Sequence, residues 1–276
     1  MEIEDVIKRM KNKMELRNLS NIFVTNLIKK YQKTHPKAVN LKNISPKDKA
    51  IMLKRIRGDC RRAYGMFFNK ITKKRDKNLK QFIEKRDKET FTLLLKGHKS
   101  TKERLEIYND IYDEIFSFIK EPKSILDLGC GMNPLSFKFM NINEKNIEYH
   151  AWDISKQDLD FIEQFYNNTD YNVNLITKDQ DLLEIKDKEI IFPETDVCFM
   201  LKLLDNIDLN KNHKLSEKLI TSVPAKNLVI SFSTKTLSNK PMRHPQRGWI
   251  ERMLERLEYN YKIIQKVGEI FYIVKK

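Results

Sequence analysis

Residues 125–131 read Ile-Leu-Asp-Leu-Gly-Cys-Gly, the stretch from which the fold class follows. An apolar run ends in an acid and enters a turn with two glycines. Glycine tolerates the left-handed backbone of such a turn and, lacking a side chain, lets a ligand come close to the main chain. In open α/β sheets ligands bind at the carboxyl ends of the strands, where this turn would lie. The dinucleotide-binding turn is similar but requires G-x-G-x-x-G leading into a regular helix. Here residues 129–134 read G-C-G-M-N-P, and Pro134 is expected to open the next helix instead. Because a glycine pair also serves a plain tight turn, the reading depends on its surroundings.

The next apolar run, IEYHAWDIS (147–155), carries Asp153 at its tip, 22 residues past Gly131. A carboxylate there can accept from both hydroxyls of a ribose. The local alternative is that Asp153 belongs to the turn before a helix capped by Ser155. Asp179-Gln180-Asp181-Leu182-Leu183 follows a third run, and an acid or amide in it can reach an adenine amino group; Asp181 is the candidate. Cys130 and Cys198 have no base beside them and read as small packing residues.

The same rhythm extends to the end of the chain. SILDL (124–128), IEYHAW (147–152), VNLIT (173–177), DVCFML (196–201) and NLVISF (227–232) alternate with helical or loop segments. Short apolar strands of that kind form a parallel sheet covered on both faces. YKIIQKVGEIFYIVKK (261–276) predicts an antiparallel hairpin turning at Gly268. A helix is expected over about 101–120, opened by a capping box at Ser100-Thr101-Lys102-Glu103. The fold class is therefore α/β: a Rossmann-like, mostly parallel sheet with a terminal antiparallel hairpin, matching class I S-adenosylmethionine-dependent methyltransferases. Before it, residues 1–100 read as helices, with Ser20 and Ser45 as N-caps and Pro46 in a first turn. The expected division is a helical domain over 1–97, in two small bundles that break near 34–45, and a methyltransferase domain over 98–276.

Charge separates the same two parts. The 276 residues hold 53 Lys+Arg against 38 Asp+Glu, a net of +15. Residues 1–100 alone carry 28 against 10, a net of +18, and residues 101–276 a net of −3. The asymmetry points to a polyanion-binding module joined to a near-neutral domain; the plainer reading is a solvated surface in a Lys-rich chain. Lys54, Arg57 and Arg61 share a helix face, and with Arg62, Lys73 and Lys74 they are the candidate RNA contacts. Three cysteines exclude a disulfide framework and a self-contained zinc site, and no metal is expected. No apolar run approaches the roughly 18 residues of a membrane span, and MEIEDVIKRM has no signal-peptide core. The expectation is a cytoplasmic protein with no membrane partner and no obligate protein partner.

HKSTKERLEIYNDIY (98–112), ILDLGCGMNPLSF (125–137), AWDIS (151–155), CFMLKLLD (198–205) and LVISFSTKTL (228–237) occur in an order and spacing that carry a resemblance. Together they resemble the aminoglycoside-resistance 16S rRNA methyltransferases that modify N7 of guanine 1405. The resemblance implies S-adenosyl-L-methionine as donor, S-adenosyl-L-homocysteine as product, and 16S rRNA in the 30S subunit as partner. It places His98, Arg104, Asp127, Gly129, Gly131, Asn133, Pro134, Asp153, Ile154, Asp181, Leu182, Met200 and Leu201 around the donor. Arg104 would approach the donor's methionine carboxylate, though a surface position on a helix is the bland alternative. Lys202, Lys235 and Arg243 would stand near the target base. Ser238-Asn239-Lys240-Pro241-Met242-Arg243-His244 lacks the glycines of the family's basic loop, which keeps two alternatives open: a methyltransferase for another RNA, or an idle RNA-binding or ribosome-assembly protein.

Overall fold

The computed structural model describes residues 2–13, 16–17, 19–61, 74–142, 146–208, 213–236 and 240–276. Five parallel strands come first: β1 (Ser124–Leu128), β2 (Ile147–Asp153), β3 (Val173–Asp179), β4 (Thr195–Leu201) and β5 (Ala225–Ser233). The hairpin β6 (Asn260–Lys266) and β7 (Glu269–Lys275) completes a seven-stranded sheet in the order β3-β2-β1-β4-β5-β7-β6. β7 runs antiparallel to both of its neighbours, and Gly268 takes a left-handed φ of 84° in the turn. The chain moves one way from β1 to β3 and the other way from β4 onward. The carboxyl ends of β1 and β4 therefore flank the point where the order reverses, which is where such sheets open a crevice.

Upstream of the sheet, α1 (Ile3–Lys11), α2 (Asn21–Thr34) and α3 (Pro46–Cys60) form a bundle with its own core, including Val6, Met10, Phe23, Ile28, Met52 and Ile56. Ser20 and Ser45 cap α2 and α3 through Phe23 N and Asp48 N, at 3.0 and 3.1 Å. A second pair follows, α4 (Arg75–Lys85) and α5 (Lys88–Leu95).

The expected helix over 101–120 is two helices, α6 (Lys99–Arg104) and α7 (Tyr108–Ile119). Buried Arg104, Tyr108, Ile111, Tyr112 and Ile115 keep helical spacing across the break, which is why the pattern reads as one helix. The expected capping box is absent. His98 is the N-cap, and Ser100 Oγ sits 2.8 Å from His98 Nδ1.

Alternation along the strands builds two cores. In β4, Val197 and Phe199 face one cluster while Cys198 and Met200 face the other. The first cluster is covered by α7 and α8 (Lys156–Tyr166). The second is covered by the short α9 (Leu204–Ile207), α10 (Lys214–Ser222) and α11 (Gly248–Arg256). Cys198 is fully buried, as a packing residue should be.

The α4–α5 pair does not stand apart from the sheet. Phe82 and Phe91 stack on Phe165 of α8 at ring separations of 5.6 and 6.1 Å. Arg75 forms a buried ion pair with Asp158 and lies 4.6 Å over the Phe161 ring. A cut at residue 97 would strip these aromatics off α8.

Candidate active site

The glycine turn after β1 is held open by close packing behind it. Gly129 and Gly131 adopt φ of 63° and 52°, a region that disfavours residues with a Cβ. A Cβ on Gly129 would come 2.9 Å from Leu203, and one on Gly131 3.2 Å from the His98 ring. Below the turn, Asp127 accepts from Asn133 Nδ2 at 2.9 Å and from the Tyr149 hydroxyl at 2.8 Å. Burial pushes its carboxyl up to about 6. Asp127, Asn133, Pro134 and Met200 are thus supports of the turn and of β4 and do not line the cleft.

Of the expected residues, the cleft is lined by His98, Arg104, Gly129, Gly131, Asp153, Ile154, Asp181, Leu182, Leu201 and Lys202. Asp153 accepts from Gly131 N at 2.8 Å and from Ser155 N at 2.9 Å. A carboxylate has about four acceptor sites, so capacity remains for a ligand. Asp153 therefore does both things its position suggests: it belongs to the turn and it faces the cleft. Burial, with Asp158 adding repulsion, raises its carboxyl to about 7. Asp181 caps the short 3-10 segment Leu182–Lys186 through Leu183 N, 2.9 Å away. His98 is held neutral, because burial drives its ring down to about 4.

At the other end of the cleft is a charge cluster in which the sequence-named Arg104 and Lys202 meet a residue that sequence reasoning missed, Glu269. Arg104, only 2% exposed, grips Glu269 of β7 through Nε at 2.9 Å and Nη2 at 2.8 Å. Glu269 is equally buried; it also takes Lys202 Nζ at 3.2 Å and a hydrogen bond from Ser231 Oγ. Lys202 Nζ bonds Glu103 at 2.7 Å as well. Lys202 itself has φ 54°, with its N–H bonded to Ser231 O and Oγ, both at 3.0 Å. A lysine in the left-handed region is strained, and such strain gathers where a side chain must be aimed. The one available signal for Glu269 is an acid at the head of an otherwise apolar strand.

Lys235 and Arg243 do not line the cleft. They stand on the segment after β5, where Lys235 pairs with Pro241 and its side chain lies near Gly268, while Arg243 is exposed. Lys54, Arg61 and Lys74 are exposed and Arg57 is half-buried. Arg62 and Lys73 lie outside the described residues, as do Ser238 and Asn239 of the loop that departs from the family. The rest of the lining is Phe23, Ser100, Cys130, Gln180, Leu183, Leu203, Asn206 and Ile207, so Cys130, expected as a packing residue, also borders the cleft. Together the lining sets apolar surface beside Asp153, Asp181 and the Arg104 end. It fits a ligand with a flat apolar ring, a diol and an anionic terminus.

The family model for ribosomal RNA methyltransferase (FmrO) matches residues 87–268. A 16S rRNA (guanine(1405)-N(7))-methyltransferase of Proteus mirabilis is 26% identical over 240 residues, 81% of this chain and 83% of that protein. One from Micromonospora echinospora is 29% identical over 65% of this chain and 63% of its own length. Among solved structures, the 16S rRNA methyltransferase RmtF in complex with S-adenosyl-L-homocysteine superposes with a TM-score of 0.74 at 20% identity, covering 100% of this chain and 99% of RmtF. The 16S rRNA methylase ArmA gives 0.58 at 31% identity over 72% of this chain and 96% of ArmA. No helix of the described residues is long and apolar enough to cross a membrane.

Proposed function

This chain belongs to the FmrO family of ribosomal RNA methyltransferases, and on that basis we propose that it methylates N7 of a guanine in the decoding region of 16S rRNA, using S-adenosyl-L-methionine. The observation that carries the reading is the cleft itself. A buried carboxylate with acceptor capacity to spare stands beside an opened glycine turn, at the point where the strand order reverses. When bound, the donor supplies an electrophilic methyl group on a sulfonium. Asp153 would hold the ribose hydroxyls, Asp181 the adenine amino group, and Arg104 the methionine carboxylate.

Guanine N7 carries a free lone pair, so no side chain has to remove a proton before attack. The work left to the protein is to hold the base in line and exclude water. Lys202 is suited to placing the base, because it stands at the end of β4 with its backbone pinned by Ser231 and its ammonium aimed by two carboxylates. Lys235 and Arg243 would approach the same base from the segment after β5. An N7 inside a helical stem is reached only by distorting or flipping the base. Replacing Lys202 by alanine is expected to lower kcat about 100-fold, the scale of a misplaced reactant. The donor Kd should change far less, and calorimetry beside single-turnover kinetics separates the two effects.

The division of labour is part of the proposal. The net charge of +18 in residues 1–100 would grip folded RNA by its backbone, with shape deciding the site. Binding to 30S subunits or to naked rRNA should then fall steeply with salt, because each phosphate neutralised releases counterions. Charge reversal at Lys54 and Arg61 should flatten that slope by about one unit for each phosphate no longer neutralised. An unchanged slope would remove this face from the RNA platform.

Transfer of labelled methyl from S-adenosyl-L-methionine to purified 30S subunits tests the function as a whole. Incorporation supports it. Donor binding without transfer to any rRNA, or no donor binding, favours the idle scaffold.

A further inference from the structure

The cleft has a wall that the methyltransferase fold does not supply. Phe23 of α2 lines it, although α2 belongs to the N-terminal bundle. The wall is anchored at three places. Ser20 N, at the head of α2, donates to Ile154 O at 2.9 Å, directly after Asp153. One turn into the helix, Asn26 Nδ2 donates to Glu184 Oε1 at 2.9 Å and to Asp181 Oδ2 at 3.3 Å. Ile154 and Leu183, both lining the cleft, pack against the bundle's own apolar core. Glu184 passes the link on, since its other oxygen accepts from Gln180 Nε2 at 2.9 Å, and Gln180 also lines the cleft.

We propose that the N-terminal bundle is part of the methyl-donor site, with Phe23 forming its wall and Asn26 acting as a positioning residue that aims Asp181, so that donor binding and the seating of the basic bundle are coupled. The inference rests on the reading of the cleft as the donor site. Its physical content is simple. Asn26 gives its amide hydrogens to two carboxylates of the donor-binding loops, 155 and 158 residues away in the chain. The same bundle carries exposed Lys29, Lys30, Lys54 and Arg61. Any shift of α2 when those cations meet phosphate moves Phe23, Ile154 and Asp181 together. By linkage, RNA must then change donor affinity by the factor by which donor changes RNA affinity.

Asn26→Asp is the sharpest test. It keeps shape but replaces the donating amide with a third carboxylate facing Asp181 and Glu184. Donor and product affinities are measured by calorimetry on the full chain, with and without saturating 30S subunits, for wild type, Asn26→Asp, Asn26→Gln and Phe23→Ala. In wild type, 30S subunits should shift donor Kd by about 5–150-fold, the usual range of coupling. Asn26→Asp should weaken donor binding about tenfold or more and abolish most of that shift. Asn26→Gln, which keeps the amide, should restore both. Phe23→Ala should weaken donor binding without altering the salt slope of RNA binding. Wild-type donor affinity in Asn26→Asp and Phe23→Ala, with the wild-type shift retained, overturns the inference and leaves the donor site intact. Failure of wild type to bind donor at all overturns the reading beneath it.

Discussion

Glu269→Ala should destabilise the protein by about 3–5 kcal/mol, the cost of leaving a buried charge without its partner. The residue removed is a single carboxylate between Arg104 and Lys202, with Ser231 donating to it as well. Arg104→Ala should cost less, because Lys202 and Ser231 still face the carboxylate. The order matters, since a plain surface ion pair would give equal and small losses. Burial pushes the Glu269 carboxyl up, but the charges of Arg104 and Lys202 and the hydrogen bonds from Arg104 and Ser231 outweigh it and hold it below the usual glutamate range. A depressed carboxyl contributes stability above its ordinary value and loses it as pH falls through the lowered one. The denaturant midpoint of wild type should therefore fall as the pH is taken into the acid range, and that of Glu269→Gln should change less there. Equal losses for the two alanine variants would mean that the cluster is not the buried unit described.

Asp153→Ala should weaken donor binding about 100-fold or more. Two charge-assisted bonds to a ribose are worth about 1.5–3 kcal/mol each, and every 1.4 kcal/mol is tenfold in affinity. The variant also frees Gly131 N and Ser155 N, so it loosens the turn that the donor lies against. Asp153→Asn separates the two effects by keeping an oxygen for the turn while losing the charge. The folded carboxyl titrates near 7, above its ordinary 3.8. Ionisation therefore costs the free protein stability as pH rises from about 4 to 7. Donor affinity should rise from pH 6 to 8 in wild type, as the accepting form fills, and stay level in Asp153→Asn. A pH-independent wild-type affinity would take the carboxylate out of the ribose contact.

The middle of the sheet is legible in the sequence because β1, β2, β4 and β5 are buried along most of their length. Runs such as 124–128 and 196–201 have little polar character to blur them apart from Asp127 and Asp196, which bind the turn and the strand starts. The glycine turn and Asp153 are legible for a related reason: each is fixed by backbone geometry local to a strand end. Glu269 and its pairing with Arg104 are not, since the two lie 165 residues apart and meet only because β7 inserts beside β5. Asn26 and Phe23 escape for the same cause. On α2 they read as one polar and one apolar helical position, and only the docking of the bundle gives them a site to face. The excess of positive charge ends near residue 100, whereas Phe82 and Phe91, well inside that basic stretch, already pack on Phe165 of α8.

Mapping the methylated nucleotide decides whether the cleft does what its geometry suits it for. Purified 30S subunits are incubated with the protein and labelled S-adenosyl-L-methionine, and the modified nucleotide is located by primer extension and identified by mass spectrometry. One 7-methylguanosine in the decoding region of 16S rRNA is expected, absent with Asp153→Ala and strongly reduced with Lys202→Ala. Methylation of naked tRNA in preference to subunits, or a methyl group on an oxygen or an exocyclic amine, would contradict the proposed function.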